Sequence, residues 1–112
     1  MASRRPKRKR SKRPQRPARE PAVYRVEFKR SAAKDLASVP LDDRQLIGRL
    51  IDSLRTNPRP QGVEKLSGGD KLYRVRAGSY RVVYTIEDDV LLVLVVAIGH
   101  RRDIYRVAKR RK

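Results

Sequence analysis

Leu72-Tyr73-Arg74-Val75-Arg76-Ala77-Gly78-Ser79-Tyr80-Arg81-Val82-Val83-Tyr84 is the stretch that decides the fold of this 112-residue chain. Two runs rich in β-branched and aromatic residues flank a short Gly-Ser turn, the signature of a β-hairpin. A second turn at Asp88-Asp89 leads into Val90 to Ile98, nine consecutive apolar residues that predict a central strand covered on both faces. Leu72–Arg76, Tyr80–Glu87 and Val90–Ile98 therefore read as a three-stranded antiparallel meander. Alternation places Arg74 and Arg76 on one face, with Tyr73, Val75 and Ala77 on the other. Pairing across the turn brings Arg81 close to those two, and none of these three strands offers an acid before Glu87. Alternate arginines on an exposed sheet face are also what ordinary solvation produces. A second cluster strengthens the functional reading: Gly99 ends the apolar run, and His100, Arg101, Arg102 and Tyr105 follow it.

Upstream, Tyr24 to Phe28 alternates as a strand. Ser31 offers an N-cap for a short helix over Ala32–Val39, which Pro40 ends. A second helix from about Asp42 sets Leu46, Leu50, Ile51 and Leu54 at the spacing of a buried stripe and stops near Asn57-Pro58. Pro58 to Gly69 reads as loop, with a brief extended piece at Glu64 to Leu66. Asp103 to Arg110 suits a final short helix. The expected architecture is α+β: N-terminal strand, helical hairpin, meander and C-terminal helix, with the helices on one sheet face.

Charge is unevenly placed. The net +18 divides into +9 over residues 1–21 (ten Lys/Arg against Glu20), +3 over 22–100 (thirteen against ten acids) and +6 over 101–112 (seven against Asp103). Residues 1–21 carry prolines and repelling charges but little apolar surface, and are expected to form a disordered basic arm outside a folded domain at 22–112. Charge of this sign favours a polyanionic partner: nucleic acid, or an acidic protein that masks the basic surface. The apolar run is far short of the roughly 20 residues that span a bilayer as a helix, and no apolar segment follows the N-terminal charges as in a secretory signal. Membrane association is not expected. The absence of cysteine excludes disulfides and thiolate metal sites and is compatible with a reducing cytoplasm.

The pattern Tyr73-Arg-Val-Arg76, Gly78-Ser-Tyr-Arg81-Val-Val-Tyr84 and Ile98-Gly-His-Arg101-Arg-Asp-Ile-Tyr105 resembles the RelE branch of the RelE/ParE toxin superfamily. The likeness covers roughly residues 23–107 and includes Asn57-Pro58 and Lys65-Leu66. It implies a type II toxin that cleaves messenger RNA in the ribosomal decoding site and is held inactive by a cognate antitoxin in a hetero-oligomer, in the cytoplasm. Carried over by position, Arg81 matches the family's phosphate-binding arginine, Arg101 its second arginine and Tyr105 its C-terminal catalytic tyrosine. His100 falls where relatives often have a basic residue. Arg74 and Arg76 match basic positions of the active face and, with Arg102, are expected to hold phosphate. Guanidiniums rarely release a proton, so proton transfer is assigned to Tyr105 and His100. The implied reaction uses neither metal nor cofactor. Two other functions fit parts of the chain: a ParE-like toxin that poisons gyrase without cutting nucleic acid, and a basic module whose arm alone binds nucleic acid.

Overall fold

A computed structural model describes residues 23–66, 71–100 and 104–111. The predicted arm, and with it Arg101 and Arg102, lie outside the described residues. The element order is β1 (Arg25–Phe28), α1 (Arg30–Ala37), α2 (Leu41–Ser53), β2 (Glu64–Lys65), β3 (Leu72–Ala77), β4 (Tyr80–Glu87), β5 (Leu92–Gly99) and α3 (Ile104–Arg111), with a 3-10 turn at Asp88–Val90. The expected α+β class and the meander are present, inside a five-stranded sheet of order β1-β5-β4-β3-β2. β1 lies parallel to β5, with Arg25 opposite Leu92 and Phe28 opposite Val95, while the two-residue β2 pairs antiparallel with β3.

The two faces of the sheet are covered differently, and here the structure corrects the expectation of helices on one side. α1 and α2 bury Ala32, Ile47, Ile51 and Leu54 against Val75, Val82, Tyr84, Val93 and Val95. α3 covers the opposite face, where Ile104 and Ala108 meet Leu72, Val83, Val96 and Ala97. Its sequence is too basic to advertise which face it would choose. β5 is thus covered on both faces, with β4 along one edge and β1 along the first half of the other, which explains its unbroken apolar sequence.

Three local expectations also change. Ser31 does not cap α1: the helix starts at Arg30 with Lys29 at the N-cap and no side-chain cap bond, because the Lys29 amide is held by the Val95 carbonyl at 2.9 Å, tying the entry point to β5. Along α2 the buried residues are Ile47 and Ile51, followed by Leu54, whereas Leu46 is 36% exposed. Leu46 reaches sideways toward the β3–β4 turn, where a Cβ on Gly78 would lie 2.9 Å from its Cδ2. At the other end of the hairpin, Val90 stays in the 3-10 turn and Leu91 adopts φ +51°, so β5 begins at Leu92.

A polar lock fastens the loop after α2 to the end of β4. Arg59 donates to both carboxylate oxygens of Asp88 (Nη1–Oδ1 3.2 Å, Nη2–Oδ2 2.8 Å). The Tyr24 hydroxyl donates to the same carboxylate at 2.7 Å. Arg59 also lies over the Tyr73 ring, 5.3 Å from its centroid. Tyr73 stacks on Tyr84 at 6.0 Å, whose buried hydroxyl donates to the Pro58 carbonyl at 2.7 Å. The hydrogen bonds from Arg59 and Tyr24 lower the Asp88 carboxyl to about 2, and burial pushes the Tyr84 hydroxyl above its ordinary value. The segment after Asn57 is therefore held against the sheet before it enters β2.

Ile47→Ala should destabilise the fold by roughly 2–5 kcal/mol, the range for truncating a buried aliphatic chain; Leu46→Ala should cost clearly less, and chemical denaturation of both variants checks the order. The Asp88 carboxyl is depressed in the folded state, so its contribution is present above the unfolded value near 3.9 and is lost as pH falls toward about 2. The stability gap between the wild type and Asp88→Asn, at most about 1 kcal/mol for so exposed a pair, should close over that acid window in melts recorded at stepped pH.

Candidate functional site

The hairpin register determines which charges meet. Arg76 stands directly opposite Arg81, and Arg74 opposite Val83. On the far edge, Glu64 stands opposite Arg74. Directly paired residues project to the same face, so these side chains gather on the face that also carries Leu72, Val83 and α3. They line a hollow of about 330 Å³ bounded by Gly62, Glu64, Arg74, Val75, Arg76 and Arg81. The structure thus brings together three of the residues singled out from sequence. It also adds Glu64, whose carboxylate pairs with Arg74: Oε1 accepts from Nε at 3.1 Å and, more closely, from Nη2. The meander strands supply no acid before Glu87, as read from sequence, but the added edge strand does. Among the described residues no carboxylate pairs with Arg76 or Arg81.

Arg81 sits where β4 meets the end of β5, opposite Gly99. Its Nη1 lies 3.5 Å from the His100 carbonyl oxygen, a long hydrogen bond that places this peptide beside the arginines. The His100 imidazole goes elsewhere. Ile98 packs on the helical-hairpin side, and two residues on, His100 meets the Tyr80 ring edge-on at 5.3 Å. It lines a separate hollow of about 380 Å³ with Ser38, Tyr80 and Arg111. Tyr105, half-buried, packs on the α3-side core that shares the arginine face, with the Lys109 ammonium 5.8 Å from its ring centroid. Arg101 and Arg102 fall between these elements, outside the described residues. No group of three His, Cys, Asp or Glu side chains able to hold a metal ion occurs among the described residues.

What holds α3, and so Tyr105, against the sheet was not visible in the sequence. β1 ends opposite Val95, leaving the β5 edge beyond it without a strand neighbour. Asp35 of α1 fills in: its Oδ2 accepts from the Ile98 amide at 3.1 Å and from Arg111 Nη1 at 2.6 Å. Arg111 Nη1 also donates to the Val96 carbonyl at 3.2 Å. One ion pair thereby satisfies the open backbone edge and ties α3 on one face of the sheet to α1 on the other. The carboxylate and the guanidinium are separated by 76 residues, so no local pattern announces them.

A five-stranded sheet with a helical hairpin on one side, a basic helix on the other and an arginine-lined hollow defines a small α+β domain with a basic face. Comparison with known proteins makes the class specific. The sequence profile of the family described as "ParE toxin of type II toxin-antitoxin system, parDE" matches residues 26–105. A protein described as "Putative toxin RelE1" from Methanocaldococcus jannaschii is 33% identical over 86 residues, covering 74% of this chain and 96% of the relative. A "Putative RelE-like toxin protein" from Escherichia coli is 30% identical over 92 residues, 79% of this chain and 96% of that one. Among solved structures, the fold matches the free E. coli toxin RelE carrying two arginine-to-alanine substitutions (TM-score 0.68, 25% identity, 80% of this chain and 97% of that one). It also matches the archaeal RelE–RelB complex from Pyrococcus horikoshii (TM-score 0.63, 29% identity, 71% and 98%). The chain belongs to the RelE/ParE superfamily of type II toxin–antitoxin toxins.

Removing the carboxylate in Asp35→Ala leaves the Ile98 amide without its partner and Arg111 with the Val96 carbonyl alone, a loss of roughly 1–3 kcal/mol for partly buried groups. Amide hydrogen exchange should quicken across α3 while β3 and β4 remain protected; uniform quickening, or none, would show that Asp35 does not hold this helix.

Proposed function

We propose that this chain is a ribosome-dependent messenger RNA endonuclease of the RelE branch, and that the hollow between β2, β3 and β4 receives the scissile phosphate. The observation that carries the reading is the convergence of Arg74, Arg76 and Arg81 on one hollow that contains a single acid. Guanidiniums pre-positioned around a phosphate stabilise the charge that builds on its oxygens in the transition state without reorganising at the moment of reaction. Their planar forks suit phosphate oxygens better than ammonium groups do. Arg101 and Arg102 are proposed to add to the same phosphate field from the segment after β5.

In the proposed reaction the ribose 2′-oxygen attacks the adjacent phosphorus. With Tyr105 entering as the phenolate and His100 as the imidazolium, the 2′-hydroxyl proton passes to the Tyr105 oxygen, a new 2′-O–P bond forms, the P–5′-O bond breaks, and the departing 5′-oxygen takes a proton from His100. The products are a 2′,3′-cyclic phosphate and a 5′-hydroxyl. The arginines hold phosphate and move no proton, consistent with guanidinium basicity. For His100 to serve as the acid its ring must leave Tyr80 and turn past the end of β5 toward Arg81.

A cognate antitoxin is part of the proposal. The P. horikoshii relative was solved in complex with RelB, and an acidic segment from such a partner would neutralise the arginine face. Action on ribosomes would place the protein in the cytoplasm. A second reading, a gyrase-directed toxin without nuclease activity, is kept because the matching family profile is described as ParE.

Ribosome complexes programmed with a defined messenger separate the two. The nuclease reading expects cuts within the decoding-site codon ending in a cyclic phosphate, and Arg81→Ala should slow single-turnover cleavage by about 100-fold or more, the usual cost of one transition-state charge donor. Absence of cleavage by the wild type, with inhibition of gyrase supercoiling instead, would reverse the assignment. Unchanged cleavage by His100→Ala would remove only the proposed acid, and loss confined to a chain lacking residues 1–21 would assign the docking role to the basic arm.

A further inference from the structure

Glu64 is the one anion among the residues lining the arginine hollow, and it occupies the Nε–Nη2 side of Arg74. That side of a guanidinium is also the edge that grips two oxygens of a phosphate. We infer that Glu64 is a displaceable occupant of the phosphate site: its carboxylate keeps the Arg74 fork filled and aimed in the free protein, and an RNA phosphate must expel it to bind. The inference rests on the proposed reading that the hollow receives RNA.

Three features of the structure favour displacement over a permanent structural pair. The Glu64 side chain is 60% exposed, against 27% for Arg74, so the carboxylate can swing into water while the guanidinium stays in place. An ion pair this open to solvent is weak, and a phosphate approached by Arg74, Arg76 and Arg81 together has more charge to offer than one carboxylate. The backbone beneath Glu64 is also lightly held: β2 is two residues long and lies at the sheet edge. Gly62, which lines the hollow itself, has φ +88°, and a Cβ there would meet nothing within 4 Å.

Glu64 thus sets a threshold. An isolated anion gains little by replacing one carboxylate at Arg74. A phosphate within a chain, held on either side by further contacts, displaces it at small cost. The pair also solves a problem for the free protein, because three guanidiniums on neighbouring strands repel one another. Glu64 relieves that repulsion at one corner without closing the hollow.

The test uses the full chain and a 2′-O-methyl trinucleotide, which cannot undergo attack by the 2′-oxygen. Dissociation constants are read from the amide resonances of Arg74 to Arg81, so that binding to the basic arm does not contribute. Glu64→Gln is expected to bind about two- to fivefold more tightly, the range that corresponds to losing a weak exposed pair; Glu64→Ala, which carries no amide to hydrogen-bond Arg74, should move the same way. The gain should shrink to near zero when Glu64→Gln is combined with Arg74→Ala, since the contested fork is then gone. If Glu64→Gln binds no better while Arg81→Ala binds worse, the displacement inference is overturned and the hollow remains the RNA site. If neither Glu64→Gln nor Arg81→Ala alters binding, the hollow does not receive RNA, and the proposed function loses its carrying observation with it.

Discussion

The register of the β3–β4 hairpin is the constraint on which the rest depends. It sets Arg76 opposite Arg81 and Val75 opposite Val82, and a slip of one residue would turn every side chain of one strand to the wrong face. Like charges placed directly opposite cost a few tenths to about 1 kcal/mol, so the pairing is not chosen by its arginines. It is chosen by what lies on both faces around them: Val75, Val82, Val83 and Leu72 are buried, and each fully buried aliphatic chain contributes roughly 1.5–3 kcal/mol. Hydrophobic burial holds the repelling guanidiniums together. The turn completes the specification, because Gly78 adopts φ +64° and lies against Leu46 of α2, where a side chain would be strained and crowded at once.

The acids are deployed elsewhere, and that distribution is what leaves the hollow basic. Asp88 is engaged by Arg59 and Tyr24 at the opposite end of β4, and Asp35 by Arg111 at the open edge of β5. Both pairs join elements distant in sequence, one fastening the loop after α2 and the other fastening α3. Glu64 alone among the lining residues faces the arginines. A surface with a positive field around one exposed carboxylate attracts anions, and most strongly those that carry many charges.

The features legible in the sequence were those with local causes. Period-two alternation and short turns located β3, β4 and most of β5, and the same alternation put Arg74, Arg76 and Arg81 on one surface before any contact was known. The features that were not legible depend on distant partners. The parallel pairing of β1 with β5 has no turn to announce it, and Ser31 lost its capping role because the chain is tied to Val95 two residues earlier, at Lys29. Leu46 and Ile47 are both apolar and adjacent, so helical spacing alone could not decide which faces the core. Only the position of the β3–β4 turn, against which Leu46 rests, distinguishes them. Glu64 was read as part of a brief extended piece; its significance came from the two-residue pairing that sets it opposite Arg74.

One consequence of strand parity bears on the chemistry. Gly99 stands opposite Arg81, so a side chain there would project to the arginine face; instead the space is taken by Ile104, whose Cδ1 would lie 3.0 Å from a Cβ on Gly99. The glycine lets α3 close over the sheet. The same parity sends the neighbouring His100 to the other face, against Tyr80. In the proposed reaction, phosphate holding and proton transfer therefore fall on different parts of the fold: the first on mutually paired strands, the second on residues at and beyond the end of β5. A reaction that uses both requires the chain after Gly99 to bring its imidazole around the sheet end while the arginines stay fixed.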